Sequence, residues 1–434
     1  MKQFLRIAYR NLISHSGRTL ILGSAIALVT ALLTLMLALT SGIKTRMTEN
    51  AMALSTGHLN VGGFMKISQS SSAPIVQHKE KIQELIEKNI PELDFIVDRV
   101  RAYGKIISDK HSIMVPMNGV DMSREAKTLG RLEAISGSIA DLAKPGHVVI
   151  FAAQAKKLEV VVGDLVTISM PTYRNIYNTK DLKVAAILKD LGLLSAFSAF
   201  IHHADAREVY DMSAHSTGGI MLYLKSMNDV GGVETRLRKL LTDNGHTLMD
   251  KESNPFWMKF ERVSGESWVG QRLDVTTWED EISFLKWILD IFNALTFVLT
   301  FVLMFIVVVG LVNNMWMAIR ERTAEIGTMR AVGLQRRSVL QLFVFESMML
   351  SVAAVGSGIV LGALIVGLLN VLKISVSSEA FVMFLMSNEI WLNLRTVDII
   401  FVFILLCGLL SFGSLIPAYR ASKMKPITAI NHVN

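Results

Sequence analysis

The residue types that carry chemistry occur in this chain at nearly the right spacings, and each constellation lacks a necessary member. Gly57 with Gly62 and Gly265 with Gly270 have the spacing of a phosphate-cradling loop. Such a loop needs a Lys directly after the second glycine to reach the terminal phosphates, and neither pair has one. Gly265 to Val269 starts like the strained elbow that presents a nucleophilic serine, but Val269 stands where its last glycine belongs. His202 and His203 are adjacent rather than one helical turn apart, with no zinc-protease pattern around them, so they read as a surface or loop pair. Cys407 is the single cysteine and falls in an apolar run, which excludes a disulfide framework and a cysteine metal site. The expectation is a chain with no catalytic residue, no metal and no cofactor of its own.

What remains is a charged segment. Asn313 to Gln341 lies between two long apolar runs and carries five Arg against two Glu, which by the positive-inside rule should face the cytoplasm. Val312, Trp316, Ile319, Thr323 and Ile326 recur at helical spacing, with Arg320, Glu321, Arg322 and Glu325 between them, and Gly327 and Gly333 are expected to interrupt the helix. A plain turn between two membrane helices would need about a third of this length and no second apolar stripe. The segment therefore reads as a folded element, Trp316 to Leu334, that continues directly into the helices on both sides and meets a soluble partner.

Composition places that segment in a membrane protein. The 434 residues are 51% hydrophobic and 19% charged, too apolar for a soluble protein and too charged for one wholly embedded. The net charge of +7 could suggest nucleic acid. However, the excess sits in residues 2–19, the charged segment and residues 417–434, about +10 together, while 41–287 sums to roughly zero. That distribution follows membrane orientation and calls for no nucleic acid.

Four stretches are long enough to span, at about 20 apolar residues each: 20–40, 288–312, 342–371 and 397–416. The first exceeds the core of a cleaved signal peptide and is expected to remain as an anchor. Residues 1–19 place Phe4, Leu5, Ala8, Leu12 and Ile13 on one stripe, as in a cytoplasmic amphipathic helix on the inner membrane surface. The fold class expected is an α-helical membrane protein with four transmembrane helices and a large α+β extracytoplasmic domain, 41–287, inserted between the first and second. Residues 313–341 form the cytoplasmic coupling loop, 372–396 an external loop and 417–434 a cytoplasmic tail.

Within 41–287, Gly57 to Ile67 alternates like a strand, Ala73 to Ile90 is an amphipathic helix, and Phe95 to Ile107 alternates again. A second strand-helix-strand unit follows at Gly218 to Leu224, Val230 to Leu241 and roughly Thr247 to Lys259, and the two could pair into a split, ferredoxin-like sheet. Between them, 110–216 reads as an inserted β-rich lobe, with strands expected at Ser112 to Val120, Gly146 to Phe151, Val160 to Ser169 and Leu182 to Ile187. In the third span, Gly358 and Gly362 form a small-xxx-small pair that permits close helix approach, at a subunit interface or inside one subunit. Glu346 near the inner end of that span needs a partner, with Arg330, Arg336 and Arg337 as candidates. Asp290 and Asp398 read as boundary residues.

RERTAEIGTMRAVGLQRRSVLQLFVFES, Arg320 to Ser347, resembles the signature of the FtsX-like, MacB-type permease family. SGRTL at Ser16 to Leu20, GHVVI with AKKLEVVVGDLVTIS in the insert, and PAYRASKMKPITAI at Pro417 to Ile430 agree in order, so the resemblance covers nearly the whole chain. It implies the transmembrane subunit of an ABC transporter, non-catalytic, paired with a second permease copy or homologue and with two copies of an ATP-binding cassette subunit that bind the ATP and Mg. Carried over, the residues docking on the ATPase would be Glu325, Ile326, Gly327, Arg330, Ala331 and Gly333, supported by Arg320 and Arg322. A fused ATPase domain would precede the first span, and the chain begins almost at the membrane, so a separate ATPase is expected. The layout is closest to the lipoprotein-releasing subunits LolC and LolE of the bacterial inner membrane, which implies a lipoprotein or other extracytoplasmic partner. Export, activation of an external enzyme, and a receptor or sensor role are the alternatives.

Overall fold

The computed structural model describes residue 10 and residues 16–68, 71–172, 174, 176–375, 381–382, 387 and 389–424. Most of the expected helix at 1–19, part of the loop 372–396 and the last ten residues of the tail lie outside the described residues. In chain order the first elements are α1 (Ser16–Leu54), β1 (Leu59–Ser68), β2 (Ser71–Ala73), α2 (Lys79–Asn89), β3 (Leu93–Ile107), β4 (Ser112–Val120), α3 (Met122–Leu129), β5 (Ala134–Gly137) and β6 (His147–Phe151). There follow α4 (Ala152–Leu158), β7 (Leu165–Pro171), β8 (Tyr177–Leu188), α5 (Leu193–Ala196), β9 (Ala199–His202), α6 (His203–Tyr210), β10 (Gly219–Leu224) and α7 (Val230–Asp243). The chain then forms α8 (Phe260–Gly265), β11 (Gly270–Thr277), α9 (Trp278–Glu281), α10 (Lys286–Glu321), α11 (Thr323–Ala331), α12 (Arg336–Leu372) and α13 (Thr396–Ser422). The described residues fall into two compact units, one within 46–288 and 376–388, the other within 1–45, 289–375 and 389–434.

The first of these units is α+β. Four antiparallel strands run in the order β11-β1-β10-β3, with α2 between β1 and β3 in sequence and α7 between β10 and β11. That is the split, ferredoxin-like arrangement. Its core closes Leu59 and Val61 of β1, Ile220 and Leu222 of β10, and Leu273 and Val275 of β11 against Ile82 and Ile86 of α2 and Val233 and Leu237 of α7. The fourth strand is displaced from its expected place at Thr247 to Lys259, where Leu248 makes only an isolated bridge to Leu273. Pro255 and a run of polar residues stop that segment from joining a ladder. The true strand, β11, is hidden in the sequence because Asp274, on its other face, is a buried charge held by Lys259 at 2.8 Å.

β3 is fifteen residues long and belongs to two sheets. Leu93 to Arg99 pairs with β10, while Val100 to Ile107 pairs with β4. The second lobe continues β4-β9-β6-β8-β5, with β7 against β3 and β8, around Val148, Ile150, Ile168, Leu182, Val184 and Ile201. The expected lobe at 110–216 therefore also takes the second half of β3. It is less purely β than expected, since α3, α4 and α6 lie within it.

The other unit contains four helices long and apolar enough to cross a membrane. They extend beyond the apolar runs because each continues as helix into polar sequence; α10 has 36 residues, about 54 Å, against about 30 Å of hydrocarbon. Ile26 and Leu33 of α1, Leu311 of α10, Val355 of α12 and Leu406 and Leu410 of α13 close their common core. Gly358 and Gly362 of α12 lie against α1 of the same chain: a Cβ on Gly358 would stand 2.5 Å from the Ala27 carbonyl oxygen and one on Gly362 2.9 Å from Thr34 Cβ. Thr40 and Thr296 share a hydrogen bond of 2.8 Å between α1 and α10. Asp398 is held by Arg395, one turn earlier, at 2.8 Å. Gly358→Leu should cost about 1–3 kcal/mol by overpacking, read as a lower thermal midpoint in detergent. Gly356→Ala, with nothing within 4 Å of its Cβ, should leave the midpoint unchanged.

Candidate functional site: a braced helix between two spans

The stripe from Val312 to Ile326 predicts a helix interrupted at Gly327 and Gly333; the structure keeps the stop at Gly333 but runs helix through Gly327 and places the other break at Arg322. α10 ends at Glu321, Arg322 leaves helical geometry at φ −102° and ψ 15°, and α11 starts at Thr323. The cause is local. The Thr323 hydroxyl sits 2.9 Å from the carbonyls of both Ile319 and Arg320, the backward bonding that bends helices. At the other end Gly333 has φ +104°, the left-handed conformation that suits glycine. Leu334 N donates to Met329 O at 3.0 Å and Gly333 N to Arg330 O at 3.2 Å, the paired bonds of a Schellman stop. Arg330 adds a third cap, donating from Nη1 to the Leu334 carbonyl at 2.9 Å. Nine residues of helix are thus set off by two defined joints.

Arg322 fills the first joint. Its side chain is 8% exposed and donates from Nη1 to Glu346 of α12 at 3.1 Å and from Nε to Glu325 of α11 at 3.2 Å. One guanidinium therefore ties α11 and α12 to the end of α10. Glu346 was open to Arg330, Arg336 or Arg337 on sequence grounds, and the structure gives it Arg322 instead. Arg336 and Arg337 begin α12 and lie about 14 Å of helix rise below Glu346. Ile326 seats α11 on Ile319, Val339, Phe343, Ala418 and Ala421, and Arg420 covers Trp316 with its Cζ 5.2 Å from the ring centroid.

The named residues divide by accessibility. Arg322, Ile326 and Gly327 are buried, Arg330 is half-buried, and Arg320, Glu325, Ala331 and Gly333 are exposed. Val332 is 90% exposed at the tip, next to exposed Gln335, Arg336 and Arg337. Sequence reasoning passed over Val332. Its signal is an apolar residue directly before the glycine that ends the helix. The exposed surface is thus an apolar tip with cationic flanks, mounted on a braced helix.

A second construction was not legible in the sequence. Arg99 of β3, fully buried, donates to the Leu54 carbonyl at 2.8 Å, to the Ala53 carbonyl at 3.1 Å and to Glu125 at 2.7 Å. The Tyr223 hydroxyl donates to the Met52 carbonyl at 2.9 Å. Together they satisfy carbonyls that the end of α1 leaves without intrahelical donors. His202 has a structural task as well: its Nδ1 accepts from the Ala204 amide at 3.2 Å at the start of α6, and burial lowers its pKa.

Comparison with known proteins decides what this layout belongs to. A family model described as FtsX-like permease C-terminal matches residues 297–426, and one described as MacB-like periplasmic core domain matches residues 19–240. This chain belongs to the MacB/FtsX-like family of ABC transporter permeases. The permease is 35% identical over 122 residues to the pyoverdine export ATP-binding/permease protein PvdT of Pseudomonas fluorescens, a match covering 28% of this chain and only 16% of that protein. It is 20% identical to the lipoprotein-releasing system transmembrane protein LolE of Haemophilus influenzae over 379 residues, 83% of each chain. The solved periplasmic region of MacB from Actinobacillus actinomycetemcomitans aligns with TM-score 0.33 and 11% identity, covering 54% of this chain and 94% of that one. Its four long apolar helices and its match to the periplasmic core model make the permease a multi-pass membrane protein with an α+β unit of this family's type.

Breaking one partner of a buried ion pair strands the other, at about 3–5 kcal/mol, whereas replacing both with apolar residues can be neutral. Arg322→Ala should therefore lower the thermal midpoint in detergent more than the double change Arg322→Met with Glu346→Leu. The same comparison at the other site, Arg99→Ala against Arg99→Met with Glu125→Leu, should leave the double variant still destabilised. The Leu54 and Ala53 carbonyls lose their donor in both.

Proposed function

We propose that the chain is the transmembrane subunit of a MacB-type ABC transporter in the bacterial inner membrane, and that it converts ATP hydrolysis by a separate cassette subunit into motion of its 46–288 domain. The observation that carries this reading is α11, a nine-residue helix with an exposed tip, braced by Arg322 to both neighbouring helices. In this reading two ATPase copies close beneath a pair of permease subunits and push on Val332, Ala331, Gly333 and Glu325. The Arg322 pairs with Glu325 and Glu346 pass the push to α10 and α12. α10 has no proline in its 36 residues and so resists bending. Outside, Arg99 and Tyr223 hold the last turn of α1 against the sheet, so tilting that helix would drag β3 and β10 with it. The termini are then cytoplasmic and the α+β domain extracytoplasmic, in agreement with the charge distribution.

For the substrate, release or transport of a membrane-anchored lipoprotein is favoured. The likeness to LolE runs over 83% of both chains, while the likeness to PvdT covers a fragment. Charges within the four spans lie toward their ends, among the described residues, and this also suits mechanical transmission better than conduction of a polar solute. A receptor or sensor would have no use for the braced tip.

Ala331→Gln combined with Val332→Asp changes two exposed side chains outside the Arg322 brace and should leave the thermal midpoint unaltered. Co-purification of the ATP-binding subunit should drop by about tenfold or more, equivalent to about 1.4 kcal/mol or more of docking energy. Undiminished co-purification together with undiminished coupled ATPase activity would show that α11 is not the docking element.

A further inference from the structure

The α+β domain contains a cavity of about 870 Å³ that the coupling mechanism does not use. Its size is that of a small-molecule site, about 300–1,000 Å³. The walls are mostly apolar, with Tyr103, Phe197, Trp257, Phe260 and Phe284 among the lining residues. Tyr103 is 56% exposed and Phe197 and Trp257 are each 49% exposed, a concentration of large aromatic surface that a monomeric domain does not ordinarily leave open. The rings are ordered against one another: Phe284 meets Phe197 edge-on at 5.8 Å and Trp257 at 5.7 Å between centroids.

Among the described residues, one cation lines this cavity. The Arg101 side chain is 5% exposed, and its Cζ lies 4.6 Å from the centroid of Phe256. A guanidinium has five N–H donors, yet Arg101 makes one long hydrogen bond, 3.3 Å to the Ser55 carbonyl. Its nearest carboxylate, Glu281, forms only a long ion pair with it, Oε2 standing 3.8 Å from Nη1 and beyond hydrogen-bonding range, while the other oxygen, Oε1, accepts from the Thr276 hydroxyl at 2.6 Å. Burial pushes the Glu281 carboxyl up, toward its neutral form. Arg101 Nε and the buried Ser198 hydroxyl, which also lines the cavity, have no hydrogen-bond partner among the described residues. A buried charge left this short of partners is costly unless something else supplies acceptors.

We propose that this cavity takes the acyl chain of a membrane-derived amphiphile whose acidic headgroup lies on Arg101. The aromatic walls match the chain and the under-bonded guanidinium matches the acid. Ser55 of the lining follows α1 directly and Phe284 precedes α10 by two residues, so the chain enters and leaves the cavity wall beside the two helices that carry spans. The site stands apart from the coupling reading, because binding here needs neither nucleotide nor an ATPase.

The test uses the full chain in nanodiscs of zwitterionic phosphatidylcholine, with radiolabelled palmitate as the probe and empty nanodiscs as the background. Saturable binding of one palmitate per chain is expected. Phe197→Glu, which puts a charge on a half-exposed wall residue and spares the fold, should weaken it by about tenfold or more. Hexadecanol, with the same chain and no acid, should compete several-fold less well than palmitate, and Arg101→Gln should erase that difference. Acetate should not compete. Palmitate uptake no greater than that of empty nanodiscs, or an unchanged affinity in Phe197→Glu at an unchanged thermal midpoint, would overturn the proposal. Competition by acetate as strong as by palmitate would also overturn it, by showing an anion site with no role for the chain.

Discussion

Nearly everything on the charged side of this membrane protein depends on one guanidinium with two carboxylates. Arg322 sits where α10 stops, and without it the stop would be a loose joint: Thr323 bends the chain, but only Arg322 reaches from that bend to both Glu325 and Glu346. Planarity and several forked donors suit Arg to this task, and a lysine's single ammonium would not span the same two partners as firmly. The low exposure of Arg322 strengthens the interaction, because less solvent screens it. The same burial makes the joint intolerant of losing either partner. A short helix with an exposed apolar tip would otherwise fray, since nine residues are below the length at which an isolated helix is stable in water. Ile326 in its small core and the Schellman stop at Gly333 complete the support.

The α+β domain solves a related problem with the same residue type. A helix of 39 residues that ends inside a folded domain must dispose of its last carbonyls. Arg99 and Tyr223 supply donors from β3 and β10, while Glu125 neutralises the arginine. These are neighbouring strands in the sheet, and β3 also carries the second lobe. The end of α1 is therefore bonded to the element that both sheets share, which is the position from which a displacement would reach the whole domain.

What could be read from the sequence was whatever periodicity and charge encode. The four spans, the strand-helix-strand unit around α2, the strand and helix at β10 and α7, and the charged segment all follow from apolar spacing or arginine excess. Three features did not follow, each for a physical reason. β11 was missed because its outer face carries buried Asp274, which reads as a surface residue until Lys259 is found beside it. The break at Arg322 was missed because threonine is an ordinary helix residue, and its backward hydrogen bond depends on rotamer rather than on sequence. Arg99 falls inside the strand expected at Phe95 to Ile107, and nothing local announces that the end of α1 will arrive above it. Among the candidate docking residues, the sequence could not sort those exposed at the tip of α11 from those buried in the brace. Arg322 and Ile326 hold the element in place, Gly327 is buried next to Ile326, and Val332 is exposed at the tip.

Why a transporter subunit should keep so many charged side chains buried follows from what motion demands. Apolar packing is non-directional and tolerates sliding, whereas a guanidinium bonded to named carbonyls and carboxylates fixes orientation as well as distance. At α11 and at the end of α1 the helix termini are held in this second way. The spans between them pack through residues such as Leu311, Val355 and Leu406, and through Gly358 and Gly362 set close to α1. Rigid ends joined by a more forgiving middle allow helices to shift against one another without losing their grip at either terminus. That distribution of bonding, more than any single residue, is what the proposed transmission of motion would require.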